Sequence, residues 1–504
     1  MKLKSITYLL TSFVMMTFMW SCSKDYLEIK PQGTFLEENY YGNADQAYSG
    51  LVSVYDILGK QSKTFENMIT MMNAGSDDFN AGGGSSSDGA GIQSFNNFTI
   101  DASTVPPSFW NDYFQGVFRA NVLLQKLPAV EMDENLKARY IAEAKTLRAY
   151  YNFQLLLLFK NIPLFTEPVS TSEIYNVEQA SPEAVYAQIE QDLIEAKPDL
   201  PLMIDDLEID GGRLTRGAAQ AILGKVYLFE GKKDLAAQEL ADVNGTPGGS
   251  NMYGYKLLDN YGDLFGGTVE FNSEAILEVA ATSDSNIGFE NWGNGRNEGN
   301  TVNQMVGPRG YSRSAGSTAP DYAGGWSFNT VTQDLYDVMK GDPRFDTTIA
   351  DLAALEAAGE ISYTPANQDT GYFLKKFMPL KSDITTGGGD PVLNFAQNVY
   401  IIRLADTYLL EAEALGGSGA RAQALLDAVR ARVGLPSIPV SMDAIAKERR
   451  LELAGEGHRF FDLVRTGKAS TLLQSRGFTS GKNEIFPIPL NELENTKIVQ
   501  NPGY

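Results

Sequence analysis

Between Asn135 and Lys160 the apolar positions Leu136, Tyr140, Ala144, Leu147, Tyr151, Leu155 and Leu158 recur at spacings of three and four. That periodicity places them on one face of a helix. Asn161-Ile162-Pro163 closes it, because the residue before a proline is driven out of the α region. Ser181-Pro182-Glu183-Ala184 reads as a helix start, with serine as N-cap, proline in the first turn and an acid behind it. That helix runs to about Lys197, just before Pro198. Arg216 to Glu230 and Asp234 to Ala241 form a pair hinged at Gly231. Asn398 to Leu415 and Ala420 to Val433 form another, hinged at Gly416-Gly417-Ser418-Gly419. Met442 to Arg465 carries one or two more, with a break at Gly455 and Gly457. Helical pairs with small residues at their turns suggest a mainly α scaffold of tetratricopeptide-like units, although the pairs are unevenly spaced.

Three stretches lack helical patterning. Gly75 to Pro107 is rich in Gly, Ser, Asn and Asp. Asn244 to Ala280 mixes turns with a strand-like Ala275-Ile276-Leu277-Glu278-Val279. Thr282 to Phe328 is crowded with Gly and Asn, yet it holds Phe289, Trp292, Tyr311, Tyr322, Trp326 and Phe328. Disordered segments are poor in aromatics, so this last stretch reads as a functional loop.

Composition narrows the chemistry. The 504 residues carry 41 Lys and Arg against 63 Asp and Glu, a net charge of −22. This balance argues against a nucleic-acid partner, whose phosphates need clustered cations. The single histidine, His458, and single cysteine, Cys22, exclude a Cys/His zinc cluster, a disulfide framework, and any Ser-His-Asp triad not built on His458. Carboxylate chemistry, oxygen-ligated metals and binding without chemistry are left. No Gly-Lys-Ser/Thr follows Gly82-Gly83-Gly84, so this is not a phosphate loop. Asp206, Glu208, Asp210 and Gly211 open like a calcium loop, but position twelve would be Gly217 instead of Glu, which rejects an EF-hand. No cofactor and no metal site is expected.

The N-terminus reads as an address. Lys2 and Lys4 precede an apolar run from Ile6 to Trp20, and Ser21-Cys22 follows. A run of about 15 residues is short for a membrane span and suits a signal peptide. Residues 1–21 are therefore expected to be a lipoprotein signal, with Cys22 the lipidated first residue that holds the protein on a membrane.

Arg403-Leu404-Ala405-Asp406-Thr407-Tyr408-Leu409-Leu410-Glu411-Ala412-Glu413-Ala414 resembles the signature helix of the SusD/RagB family of outer-membrane nutrient-binding lipoproteins. So does the run from Glu448-Arg449-Arg450 through Gly457-His458-Arg459 to Arg465. The ending Phe486-Pro487-Ile488-Pro489, then Gln500-Asn501-Pro502-Gly503-Tyr504, is similar to that family's C-terminus. Ala144 to Leu164, Arg213 to Leu228, and Phe109 to Asn121 agree as well, so the resemblance spans the chain after Cys22. It implies one domain over residues 22–504. The helical scaffold lies mainly in 35–60, 109–241 and 398–470, and loop insertions occupy about 75–107 and 244–397. It also implies the lid and glycan-capturing partner of a SusC-like TonB-dependent transporter, lipid-anchored at the outer membrane and facing the exterior. Ser23-Lys24-Asp25 is similar to the export tags of such lipoproteins.

The Glu448 to Arg465 run is charged enough to look catalytic. Its spacing instead suits ion pairs that fasten helices, with Arg450, Arg459 and Arg465 near carboxylates and Arg403 beside Asp406. The expected ligand residues are in the loops. Sugar rings offer an apolar C–H face to aromatic rings, and their hydroxyls need amides, acids and guanidinium groups. Trp292, Trp326 and Tyr311 supply platforms, and Asn291 and Arg296 a polar rim. Asn294, Asn297 and Arg309 stand around them, and Asp78, Phe79 and Asn80, with Asp77, come from the first loop. Trp110 reads as core. The expected activity is non-catalytic glycan binding. The alternatives are a carboxylate-based glycan hydrolase, whose two acids no motif nominates, and a binder of peptide or glycopeptide cargo.

Overall fold

The computed structural model describes residues 41–504 except 171, 268 and 293–296. The signal segment and Cys22 lie outside the described residues, as do Asn294 and Arg296. Asn43–Tyr504 forms one compact unit.

In chain order its main elements are α1 (Ala44–Tyr55), α2 (Met68–Ala74), α3 (Ala90–Asn96), α4 (Ser108–Lys126), α5 (Glu134–Phe159), α6 (Pro182–Ala196), α7 (Arg216–Glu230), α8 (Lys233–Asn244), β1 (Ala275–Val279), α9 (Thr301–Val306), α10 (Gln333–Met339), β2 (Val399–Arg403), α11 (Leu404–Ala414), α12 (Gly419–Arg432), α13 (Met442–Glu452) and α14 (Arg459–Arg465). Local chemistry sets their ends. Asp133, Ser181 and Thr215 cap α5, α6 and α7 by accepting from the backbone N–H of Leu136, Ala184 and Ala218. Gly231, at φ +91°, ends α7 and turns the chain into α8.

Helices pack in pairs: α4 on α5, α5 on α6, α7 on α8, α8 on α11, and α11 on α12. This is the tetratricopeptide-like scaffold the periodicity predicts. Two glycines permit close packing within these pairs. A Cβ on Gly116 of α4 would stand 2.5 Å from the Tyr151 ring of α5, and one on Gly224 of α7 would stand 2.6 Å from Leu240 of α8. Trp110 is buried in the same core, edge-on to Phe159.

The pattern misleads at one boundary. The helix expected from Asn398 starts only at Leu404, because Val399–Arg403 is an extended strand antiparallel to Ala275–Val279. All five residues of β2 are buried, and a run buried on every side has no period to separate strand from helix. The β-branched and aromatic Val399-Tyr400-Ile401-Ile402 favours the strand. The first loop is also less irregular than its composition suggests, since it holds α3.

The charged signature run is structural, with one change of partners. Arg403 pairs with Glu274, Glu452 and Glu456, and Asp406 pairs with Arg449; the two do not pair with each other. Arg344 and Lys376, from the insertion, reach Glu448, Glu452 and Glu456 of the signature run. These buried charge-assisted bonds tie the insertion to α13 and the turn after it. His458 lies among these groups, and desolvation lowers its pKa to about 4, so it is neutral at pH 7.

Candidate functional site: an aromatic platform on the loop insertions

Four rings from three chain segments meet at the surface. Trp292 and Trp326 lie with ring centroids 5.7 Å apart and planes tilted by 54°. Phe65 packs against both, at 6.0 Å from Trp292 and 5.8 Å from Trp326. Phe289 adds an edge contact to Trp292 at 5.8 Å and is half exposed. Phe328 is buried beneath and meets Phe65 edge-on at 5.4 Å.

The backbone under these rings is pinned. Trp326 N–H donates to the Gln304 carbonyl at 2.8 Å, and Phe328 N–H to that of Met305 at 2.7 Å. Between the two rings Ser327 takes φ +59°, a left-handed conformation that a serine adopts only when its surroundings hold it. The first loop supplies that hold. Gly83 N–H donates to the Ser327 carbonyl, and a Cβ on Gly82, at φ +70°, would lie 2.2 Å from the same oxygen. Arg309 donates to the Trp326 carbonyl and forms an ion pair with Asp88 at 2.7 Å. Phe65 is fixed from its other side: Lys63 pairs with Glu298, and Thr301 N–H donates to the Ser62 carbonyl. The indole N–H of Trp292 is buried with no hydrogen-bond partner among the described residues. A platform of this kind offers ring faces to an apolar surface.

The structure brings Trp292 and Trp326 together, with Asn291 next to Trp292 and bonded to Glu290 at 3.1 Å. It does not bring the rest of the expected set with them. Tyr311 is buried against Tyr322, and its hydroxyl donates to the Pro320 carbonyl. Asp78 is fully buried and bonded to Arg450 at 2.7 Å. Phe79 is in the core, bridged to Val331. Asn80 donates from its backbone to the Thr330 carbonyl and from its side chain to that of Gln368. Asn297 is buried and donates to the Lys63 carbonyl and Thr301. Arg309 acts under the platform through Asp88 and the Trp326 carbonyl. Phe65 and Asp88 escaped the sequence reading. The available signal for Phe65 was a lone ring inside the polar run Lys63-Thr64-Phe65-Glu66-Asn67.

Among the described residues no group of three His, Cys, Asp or Glu side chains could hold a metal ion. No described helix is long and apolar enough to cross a membrane.

Residues 273–504 match the SusD family, and residues 25–228 match the family described as starch-binding associating with outer membrane. A solved laminarin binding SusD-like protein is 62% identical, aligns over 92% of this chain and 100% of its own, and superposes with a TM-score of 0.91. The chain belongs to the SusD family. Surface glycan-binding protein A from Bacteroides thetaiotaomicron, solved in complex with laminarihexaose, is a more distant SusD-like neighbour: it is 25% identical over 91% of this chain and 99% of its own, with a TM-score of 0.80. SusD-like protein P25 of Formosa agariphila is 24% identical, covering 96% of this chain and 95% of that protein. SusD membership accounts for the helical-pair scaffold and for the signature helices α11 and α13.

Proposed function

We propose that this SusD-family protein is a cell-surface glycan-binding lipoprotein that captures a laminarin-type glucan on the Phe65, Trp292 and Trp326 platform. It then delivers the glycan to a SusC-like TonB-dependent outer-membrane transporter. The observation that carries the reading is the convergence of Trp292 and Trp326 at 5.7 Å, with Phe65 packed against both. A pyranose ring stacks its C–H face on such rings. The choice of laminarin rests on the laminarin-binding relative at 62% identity. Asn291 and Arg296 are assigned to the polar rim. Asp78, Phe79, Asn80 and Tyr311 are assigned to the scaffold that holds the loops.

Residues 1–21 are the signal and residues 22–504 the mature domain, anchored through lipid on Cys22 and facing the exterior. The protein performs no hydrolysis. His458 is held neutral at pH 7 beside the charged groups of Asp406 and Glu456, and the two solved relatives named above are described as binding proteins.

Calorimetry against a glycan panel tests the ligand, with laminarihexaose expected to bind and Trp292→Ala to weaken it. A wild-type protein that binds no glucan overturns the reading. Chromatography of the same mixtures tests the absence of catalysis. Shortened products that persist through repurification and vanish on a single Asp or Glu replacement would establish the hydrolase instead. Cys22→Ser is expected to release the protein from the membrane fraction.

A further inference from the structure

Away from the platform, and sharing no residue with it, a groove of about 560 Å³ opens between α4, residues 163–169 and 174–177, and residues 491–498. Rings line it in series: Trp110 meets Phe114 at 4.7 Å, and Phe114 meets Phe165 edge-on at 5.7 Å. Two further lining rings are exposed, Phe118 at 48% and Tyr175 at 51%. Single exposed apolar residues are ordinary, but rings converging on one concavity are not. The polar lining is built from amides and carboxylates, including Asn111, Gln115, Asn491 and Glu492, and it contains no Lys or Arg. Glu492 lies against the Trp110 side chain, and burial raises its carboxyl above the usual range.

This lining selects its ligand class. With carboxylates and no Lys or Arg among its described lining residues, the groove disfavours an anionic ligand. A neutral polyol satisfies both surfaces, since its C–H faces cover rings and its hydroxyls donate to carboxylate and amide oxygens without a counter-charge. A peptide bound by strand addition would need a strand edge, and no strand is among the described residues that line the groove. We infer that the groove is a second carbohydrate-binding subsite for a neutral glucan segment, with Phe118 and Tyr175 as stacking rings and Asn111, Gln115 and Glu492 as hydroxyl partners. This rests on the glycan-capturing function proposed above and adds a second grip on the same polymer. Two linked contacts raise the apparent affinity for a long chain without changing either contact.

The chain holds four tryptophans, so in protein carrying Trp20→Phe, Trp292→Phe and Trp326→Phe the fluorescence comes from Trp110 in the groove. Titration of this reporter with laminarihexaose is expected to give a saturable change, and further replacement by Phe118→Ala and Tyr175→Ala is expected to abolish it. Thermal unfolding of each variant confirms that the fold is kept. In a second measurement, Phe118→Ala with Tyr175→Ala in otherwise wild-type protein should weaken polymeric laminarin several-fold and leave laminarihexaose binding at the platform unchanged. A silent Trp110 in a protein whose wild-type form binds laminarihexaose overturns the subsite and leaves the glycan-capture reading standing. A response to a Lys-Phe-Lys peptide without a response to glucan also overturns it, and makes the groove a protein-docking surface. If the wild-type protein binds no glucan in calorimetry, the functional reading falls and the subsite falls with it.

Discussion

Phe65 meets Trp292 edge to face, with ring centroids 6.0 Å apart and planes at 86°. One ring belongs to the segment entering α2 and the other to the long insertion, so the contact joins scaffold to loop. Trp326 closes the triangle by touching both. A ring in such a cluster both contacts ligand and holds its neighbours in place. Trp292→Ala is therefore expected to weaken laminarihexaose about tenfold, the equivalent of about 1.4 kcal/mol. The melting temperature should change little, because Trp292 sits in a loop outside the helical core. Phe65→Ala should weaken binding as well, and the double variant should lose less than the sum, since each single change already loosens the same triangle. Calorimetry on the four proteins checks the cycle, and strict additivity would show that the rings act independently.

The helical scaffold was legible because its amphipathic stripes and caps are local. Ser181 before Pro182, and the stripe from Leu136 to Leu158, describe their helices without knowledge of the rest of the fold. The β2 strand was not legible, because Val399–Arg403 is extended only by virtue of Ala275–Val279 arriving beside it. The candidate site was half legible. Trp292 and Trp326 stand out as rings in a polar loop, but the third member, Phe65, comes from a distant segment that no periodicity connects to them. Asp78 and Phe79 looked available because they lie in a polar loop. The sequence could not show that Arg450 and Val331 would cover them.

Close packing between the first two long helices gives a stability prediction. Alanine is a better helix former than glycine by about 1 kcal/mol, so propensity alone favours Gly116→Ala. The added Cβ would land 2.5 Å from the Tyr151 ring, however, and Tyr151 is buried with its hydroxyl donating to the Val54 carbonyl. Moving the ring strains that bond and the α4–α5 contact. Overpacking costs about 1–3 kcal/mol, so Gly116→Ala should lose stability on balance. Denaturant unfolding reads this directly, and a raised midpoint would show that the helices can separate freely.

The pH dependence of stability has two opposing sides. The folded-state pKa of His458 is lowered to about 4, so the unfolded chain binds the proton more readily. Its contribution is present above the unfolded value of about 6.5 and is lost as pH falls toward 4. Glu456, lowered to about 2 against the cost of burial by Arg403 and Lys376, adds a further loss as pH falls below its unfolded value of about 4.3. Glu278 acts the other way. Burial raises its carboxyl to about 7, so its contribution is present below about 4.3 and is lost as pH rises through 7. Glu278→Gln removes that alkaline loss. The melting temperature of the variant relative to wild type should therefore rise between pH 5 and pH 8. Any constant offset from an amide facing Asn398 and Phe271 cancels in that difference. A pH-independent offset would mean that Glu278 ionises freely.

Glu452 is fully buried and accepts from three guanidinium groups, those of Arg344, Arg403 and Arg432. Those cations hold its carboxyl well below the ordinary range although burial alone would raise it. Glu452→Gln keeps the volume and removes the charge, leaving buried cations without their counter-charge. Breaking a buried pair from one side costs about 3–5 kcal/mol, so this variant should be severely destabilised or fail to accumulate. Arg432 touches only Glu274 and Glu452 among the carboxylates of this network. Removing its charge together with that of Glu452 restores the local balance. Glu452→Gln with Arg432→Gln should thus be more stable than Glu452→Gln alone, even though it carries one more substitution. Unfolding midpoints of the two singles and the double decide the matter. A double variant weaker than either single would mean that the arginines serve the site through shape and hydrogen bonding, with charge balance of little consequence.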